Sequence, residues 1–415
     1  MKFKSVSPCL TLGLLVLSGA AHADLEPFSF GASETIKHDN NVTRSPGNEN
    51  PQGDWLSTTE FNAALDQAIG RQRITANGAF DINRYKQLHS LDANTYSVAG
   101  ALDWATIGDL TGAIGADSQR HQYFYGLNGE LQQPGATASA ARNLETSNHV
   151  FANAQLGGLA RWSLFTGFDA NERKYSNPVF ASNEERQWSG HAGTNYSTSP
   201  DLSFGLQGYV THGLYPKFLI GDEHDDFDTK SLDLTTKWQA TGVSALDASV
   251  GYTNANYTAQ PSSHFVNGSL NWTWTPPSHI TLIFGLSRDS SADTAISGSL
   301  VNADSLTGRS INNIAHLSVT YQLTPKTSFG VNTQFTQRRY VDAVIPTGTV
   351  GETETIDGSN RTTLFGLTAH FLPTRTTDLS CNVAREIRKS DASISLVTPS
   401  YTDSSVSCTA LIRFD

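Results

Sequence analysis

From Ala315 to Phe335 the chain alternates apolar and polar residues with a period of two, twice over, around one breaker. Ala315, Leu317, Val319 and Tyr321 alternate with His316, Ser318, Thr320 and Gln322; past Leu323-Thr324-Pro325-Lys326, Phe329, Val331, Thr333 and Phe335 alternate with Ser328, Gly330, Asn332 and Gln334. A period of two is the signature of a strand with one apolar and one polar face. Pro325 has no N–H to give to a ladder, so it marks the connection of two antiparallel strands. Such a hairpin fits a soluble sandwich, whose polar face meets bulk water, or a membrane barrel, whose apolar face meets lipid and whose polar face lines a lumen.

The rest of the chain favours the barrel. The same alternation recurs over about 18 segments, with 16 strands and one hairpin folded as a loop as the runner-up. Short connections at Gly70-Arg71, Gly108-Asp109, Gly157-Gly158, Pro276-Pro277 and Thr324-Pro325 follow even-numbered segments. Long ones, such as 40–54, 126–143, 290–310 and 341–360, follow odd-numbered segments. Outer-membrane barrels have an even strand number, short periplasmic turns and longer outer loops. Trp104, Trp162, Trp238, Trp272 and Trp274 gather near the short turns with Phe204, Phe284, Tyr321, Phe329 and Phe371, as an aromatic girdle at headgroup level would.

Met1-Lys2-Phe3-Lys4, the apolar run Leu10 to Leu17 and Ala21-His22-Ala23 read as an export leader over residues 1–23. Residues 24–415 are then the barrel, in the outer membrane of a Gram-negative bacterium. Cys9 lies inside the apolar run rather than at the cleavage point, which argues against a lipid anchor. A net charge of −11 argues against nucleic acid as a partner. It becomes more negative once Lys2 and Lys4 leave with the leader. Hydrophobic content of 38% is low for a globular enzyme of this length and suits strands with one wet face.

Inward parity gathers Asp81, Asp103, Asp117, Asp169, Asp233 and Asp247. With Arg173 and Arg338 near the outer ends of rising strands, these are the candidate lumen-lining residues. Carboxylates there would favour cations or hydrogen-bond sugar hydroxyls; basic residues at the outer ends could also turn outward, toward lipopolysaccharide phosphates. No G-x-S-x-G, H-E-x-x-H or P-loop spacing occurs, so no catalytic residue, metal or cofactor is expected. Cys381 and Cys408 share parity on the last two segments, and hairpin symmetry about Ser395 sets them opposite each other as a disulfide.

The stretch Asn171-Glu172-Arg173-Lys174-Tyr175-Ser176-Asn177-Pro178-Val179-Phe180, with His38-Asp39-Asn40-Asn41 and the late cysteine pair, resembles the EpsL-type outer-membrane proteins of exopolysaccharide operons. These are themselves similar to a wider predicted porin family. The chain departs from that pattern at Asn41-Val42-Thr43-Arg44 and in its last residues, Phe414-Asp415. The resemblance implies export of a secreted polysaccharide together with periplasmic and inner-membrane components. A general or cation-preferring porin for small solutes is the alternative that the acidic lumen favours.

Overall fold

The computed structural model describes residues 27–46, 51–123, 142–158, 160–220, 223–258, 262–294, 307–346, 353–391 and 399–414. The expected leader, residues 1–23, lies outside them. Eighteen strands form one antiparallel sheet. They are β1 (Phe28–Asp39), β2 (Asp54–Ile69), β3 (Gln72–Tyr85), β4 (Ala93–Ala105), β5 (Leu110–Gln122), β6 (Leu144–Leu156), β7 (Trp162–Tyr175), β8 (Glu185–Ser199) and β9 (Leu202–Ile220). The second half comprises β10 (Glu223–Thr241), β11 (Ser244–Tyr257), β12 (Ser263–Trp274), β13 (Ile280–Thr294), β14 (Thr307–Thr324), β15 (Thr327–Pro346), β16 (Thr353–Phe371), β17 (Thr377–Ser390) and β18 (Tyr401–Phe414). Each strand pairs with the next, and β1 closes on β18 from Phe30 opposite Phe414 to Asp39 opposite Ser405. The sheet is a closed barrel with no free edge, and the count removes the sixteen-strand alternative.

Tight turns sit at one end. Gly70 and Gly157 take left-handed φ values of 61° and 79°, a conformation in which a Cβ is strained. The strands run further at the other end than the alternation shows. Residues 290–310 and 341–360 read as loops, yet the ladder continues through Ser291 opposite Ser310, Thr294 opposite Thr307 and Val344 opposite Thr355. Above the lipid neither face needs to be apolar, so the period of two vanishes while the backbone still pairs.

Parity divides the wall cleanly. On β7, Trp162, Leu164 and Phe168 point outward and are 60%, 59% and 48% exposed; Glu172 ends that row. The step from Trp162 to Glu172, at about 3.3 Å per residue and a tilt of about 40°, is roughly 25 Å, the height of a lipid-facing band. On β18 the outward row Val406 to Phe414 is apolar, whereas Thr402 and Ser404 above it are polar. Glu34 is an exception. It points outward beside Ile36 and accepts hydrogen bonds from Ser57 Oγ (2.5 Å) and Thr59 Oγ1 (2.6 Å), which keep its carboxylate from meeting lipid bare.

This division makes a direct prediction. Leu234→Lys, outward on β10, is expected to cost about 2–4 kcal/mol in urea unfolding from lipid vesicles. Thr235→Lys, its inward neighbour, is expected to cost little. Equal costs would contradict the assigned faces.

Cys381 and Cys408 are directly opposite on β17 and β18 and disulfide-bonded, with Cα atoms 4.1 Å apart. The bond closes a span of 27 residues, which on the chain-entropy model contributes about 3.5 kcal/mol by restricting the unfolded chain. Cys381→Ala with Cys408→Ala should lower the urea midpoint accordingly and leave the sheet content unchanged.

Candidate functional site: the lumen wall and the outer mouth

The ladder puts Asp81, Asp103, Asp117, Asp169, Asp233 and Asp247 on the inward face. Two of them are joined. His149 on β6 sits between Asp117 on β5 and Asp169 on β7, with Nδ1 2.8 Å from Asp117 Oδ1 and Nε2 3.2 Å from Asp169 Oδ1. His191 on β8 continues the row, its Nδ1 3.6 Å from Asp169 Oδ2, and its ring lies 5.3 Å from that of Tyr209 on β9. The row runs along the wall rather than around a point, and no metal-holding group of His, Cys, Asp and Glu occurs among the described residues. The alternation of acid and imidazole over neighbouring strands offers successive weak stations to a cation or a hydrogen-bonding solute.

The other acids stand apart. Asp81 faces Glu60 across the ladder and accepts a hydrogen bond from Thr95 Oγ1 at 2.9 Å. Asp103 is opposite Arg73, whose Nε donates to Asp66 at 2.6 Å. Asp233 is opposite Gln207, and Asp247 is opposite Lys237. Arg173 and Arg338 are inward but high on the wall. Arg173 is paired with Glu185, and Arg338, 8% exposed, donates from Nε to Asn312 Oδ1 at 2.6 Å.

The charge is lopsided. From β2 to β11 the wall carries Asp81, Asp117, Asp169 and Asp233 at mid-height, with Asp103 and Asp247 lower down opposite Arg73 and Lys237. From β12 to β17 the corresponding inward residues include Asn267, Asn271, His316, Asn332, Gln334 and Asn382. Among the described residues on this side, formal charge is confined to the two ends, as at Arg338 and Arg388 above and Asp378 below. Half of the lumen is acidic and the other half is neutral and polar.

The mouth at the long-loop end is built differently. Buried apolar side chains collect there. Val42, Tyr85 and Leu91 form one cluster, Tyr123, Tyr175 and Phe180 a second, and Tyr215 and Phe227 a third. Two short 3-10 turns, His89–Leu91 and Pro178–Asn183, deliver Leu91 and Phe180 to the first two. Asp54 secures the first turn by accepting from the N–H groups of Gln87 and Leu88 at 2.9 and 2.8 Å.

The first outer loop is tied down by one arginine. Arg44 Nη1 lies 3.2 Å from Asp39 Oδ2 and donates to Asn41 O at 2.7 Å, while Nη2 lies 3.2 Å from Asp403 Oδ2. Asn41 Nδ2 donates to Thr402 O and Ser45 O. The guanidinium of Arg388 lies 4.8 Å from the ring centroid of Tyr401, whose hydroxyl is bonded to Glu386. Arg44 takes a left-handed φ of 56°, a strained conformation for a side chain of its length, which these contacts hold. The cluster stands above the lipid-facing row of β18. Burial pushes Asp403 up to about 7, aided by the facing Asp39 and opposed by Arg44. Asp39 is also pushed up by burial, but Arg44, its hydrogen bond with Asp403 and Lys37 together hold it well below the usual carboxylate range. One arginine is thus shared by two buried acids.

With an apolar band outside and a polar, charged wall inside a closed even-stranded barrel, the class is decided. The chain is an outer-membrane β-barrel. No family model matches it, and no curated protein matches it in sequence. Among solved structures it is similar to OccK1 (OpdK) of Pseudomonas aeruginosa, 12% identical over 94% of this chain and 100% of that one, with a TM-score of 0.49. It is also similar to OccK2 (OpdF) of the same organism, 13% identical over 93% and 97%, TM-score 0.49. The FrpB iron transporter of Neisseria meningitidis is 10% identical over 87% of this chain, which spans 62% of the transporter's length, TM-score 0.48. At such identities every functional residue of the barrel has to be argued from its own wall.

Sequence reasoning found the acids and missed His149 and His191. They belong to different strands and have no fixed spacing to any acid. The available signal was inward parity on adjacent segments, which sets His149 opposite Asn171 and one pair from the Phe151–Asp169 pair.

Proposed function

We propose that the barrel is a passive, cation-preferring channel for small hydrophilic solutes. One observation carries this reading: the inward face at mid-height is polar and its charged half is acidic. The buried apolar residues of the described chain gather at the mouth, whereas Asp117 and Asp169 keep 39% and 29% of their side chains accessible. Eighteen strands about 4.8 Å apart and tilted about 40° give a backbone diameter on the order of 35 Å, wide enough for an aqueous channel. Carboxylates along such a wall raise the local concentration of cations. Conduction needs stations weak enough to release what they bind, and the Asp–His row supplies several rather than one tight site.

The polysaccharide-export reading rests on short stretches that also have structural work at the mouth. Asp39 and Asn41 hold the first loop, and Tyr175 and Phe180 fill one rim cluster. A channel of the proposed kind needs no periplasmic or inner-membrane component. Deletion in the source bacterium separates the two readings. The proposal expects slower uptake of small cationic solutes with surface polysaccharide unchanged; loss of surface polysaccharide with uptake unchanged would establish export instead.

A further inference from the structure

We propose that the outer wall over β11 to β16 carries a binding site for the phosphorylated glycolipid of the outer leaflet. One acyl chain lies in a groove on the barrel surface, and its phosphate meets Arg288 and Arg361. The groove has a volume of about 460 Å³. Its floor is low because Gly268 and Ala315 point outward there, and Val250, Leu270, Leu286 and Phe335 wall it. A groove of this shape in a lipid-facing wall takes a hydrocarbon chain, which fills a gap that flat packing would leave.

Charge fixes which lipid. Arg288 lines the upper end of the groove and donates from Nη1 to Asn313 Oδ1 at 3.3 Å. The same ladder row continues outward through Asn313 and Gln337 to Arg361 and then Lys389. Arg288, Arg361 and Lys389 are exposed, and none has a carboxylate partner among the described residues. The steps from Ile280 to Arg288 and from Phe371 to Arg361, at about 3.3 Å per residue and a tilt of about 40°, come to roughly 20–25 Å. The cations therefore stand at the headgroup level on the long-loop side, where the outer leaflet places lipopolysaccharide phosphates. Guanidinium groups bind phosphate through paired hydrogen bonds. Elsewhere on the rim the outward charge is partly cancelled: Arg186 and Lys174 are both bound to Glu172 at 2.9 and 2.7 Å.

The test uses the full-length barrel purified in a non-ionic detergent and titrated with bis-phosphorylated lipid A, with dephosphorylated lipid A and phosphatidylglycerol as parallel probes. Each variant is first shown to keep the heat-modifiable gel mobility of a closed barrel. The site predicts that lipid A binds about tenfold more tightly than its dephosphorylated form. Arg288→Ser with Arg361→Ser should weaken lipid A by a similar factor. Ala315→Leu, which fills the groove without touching a charge, should weaken it as well, whereas Arg186→Ser should not. Phosphatidylglycerol binding as tightly as lipid A would overturn the assigned source. Lipid A binding unchanged in both the double arginine variant and Ala315→Leu would overturn the site.

Discussion

Replacing Asp117, Asp169 and Asp233 together by asparagine is expected to lower the cation-over-anion permeability ratio by about an order of magnitude, with conductance kept within a factor of about two. The three residues stand on the acidic half of the wall, and the opposite half offers no compensating acid at that height among the described residues. Asparagine keeps the volume and much of the hydrogen bonding, so His149 stays in place and the lumen stays as wide. The measurement is the reversal potential of the reconstituted barrel across a salt gradient. Asn332→Ala with Asn382→Ala, on the neutral half, is the matched control and should leave the ratio unchanged. An unchanged ratio in the triple variant would mean that selectivity is set elsewhere, most simply at the mouth.

The second large effect belongs to Arg44. Arg44→Met removes the cation that bridges Asp39 and Asp403, leaving Asp39 with Lys37 at 3.0 Å and Asp403 buried with no ion-pair partner among the described residues, a change that costs about 3 kcal/mol or more where no proton can be taken up. The first loop is expected to come away from the rim and to become a site of rapid proteolysis. Barrel closure should persist, since the β1–β18 pairing from Phe30 to Asp39 does not involve Arg44. In the wild-type protein the same cluster gives a pH dependence of definite sign. Asp403 keeps its proton up to about 7 in the folded mouth, whereas a free aspartate loses it near 4. Raising the pH through that interval ionises a second buried carboxylate and weakens the attachment of the loop, fully so above about 7. Asp39, held below the usual range, works in the opposite direction, and its contribution is complete above about pH 4. The loop is therefore held most firmly near pH 4 to 5. Amide exchange at Asn41, corrected for its intrinsic rate, should be slower at pH 5 than at pH 8, and Asp403→Asn should remove the difference.

The barrel was legible in the sequence because its rule is local. Each strand must alternate where it crosses lipid, so Ala315 to Phe335 announces its own faces without reference to any other segment. The same locality explains what could not be read. Above the lipid the rule lapses, and within the loop-like stretches 290–310 and 341–360 the backbones of 290–294 and 307–310, and of 343–346 and 353–356, still pair. The mouth cluster joins Arg44 to Asp403 across nearly the whole chain and depends on the barrel closing β1 against β18. His149 and His191 were invisible as a pair because only strand tilt and register bring them to the same acid. Cys381 and Cys408 were accessible to symmetry within a single hairpin. Arg173 and Arg338 stand near the outer ends, where alternation lapses, and register gives their direction: these two turn inward, whereas Arg288 and Arg361 turn toward the lipid.

Current through the lumen reports whether it is a water-filled, cation-preferring path. Single-channel recording of the purified barrel in planar bilayers under a potassium chloride gradient tests that most directly. The prediction is discrete conductance steps, with a reversal potential displaced toward the potassium equilibrium potential. A barrel that inserts with its gel mobility intact but passes no current, or that reverses toward the chloride potential, would contradict it.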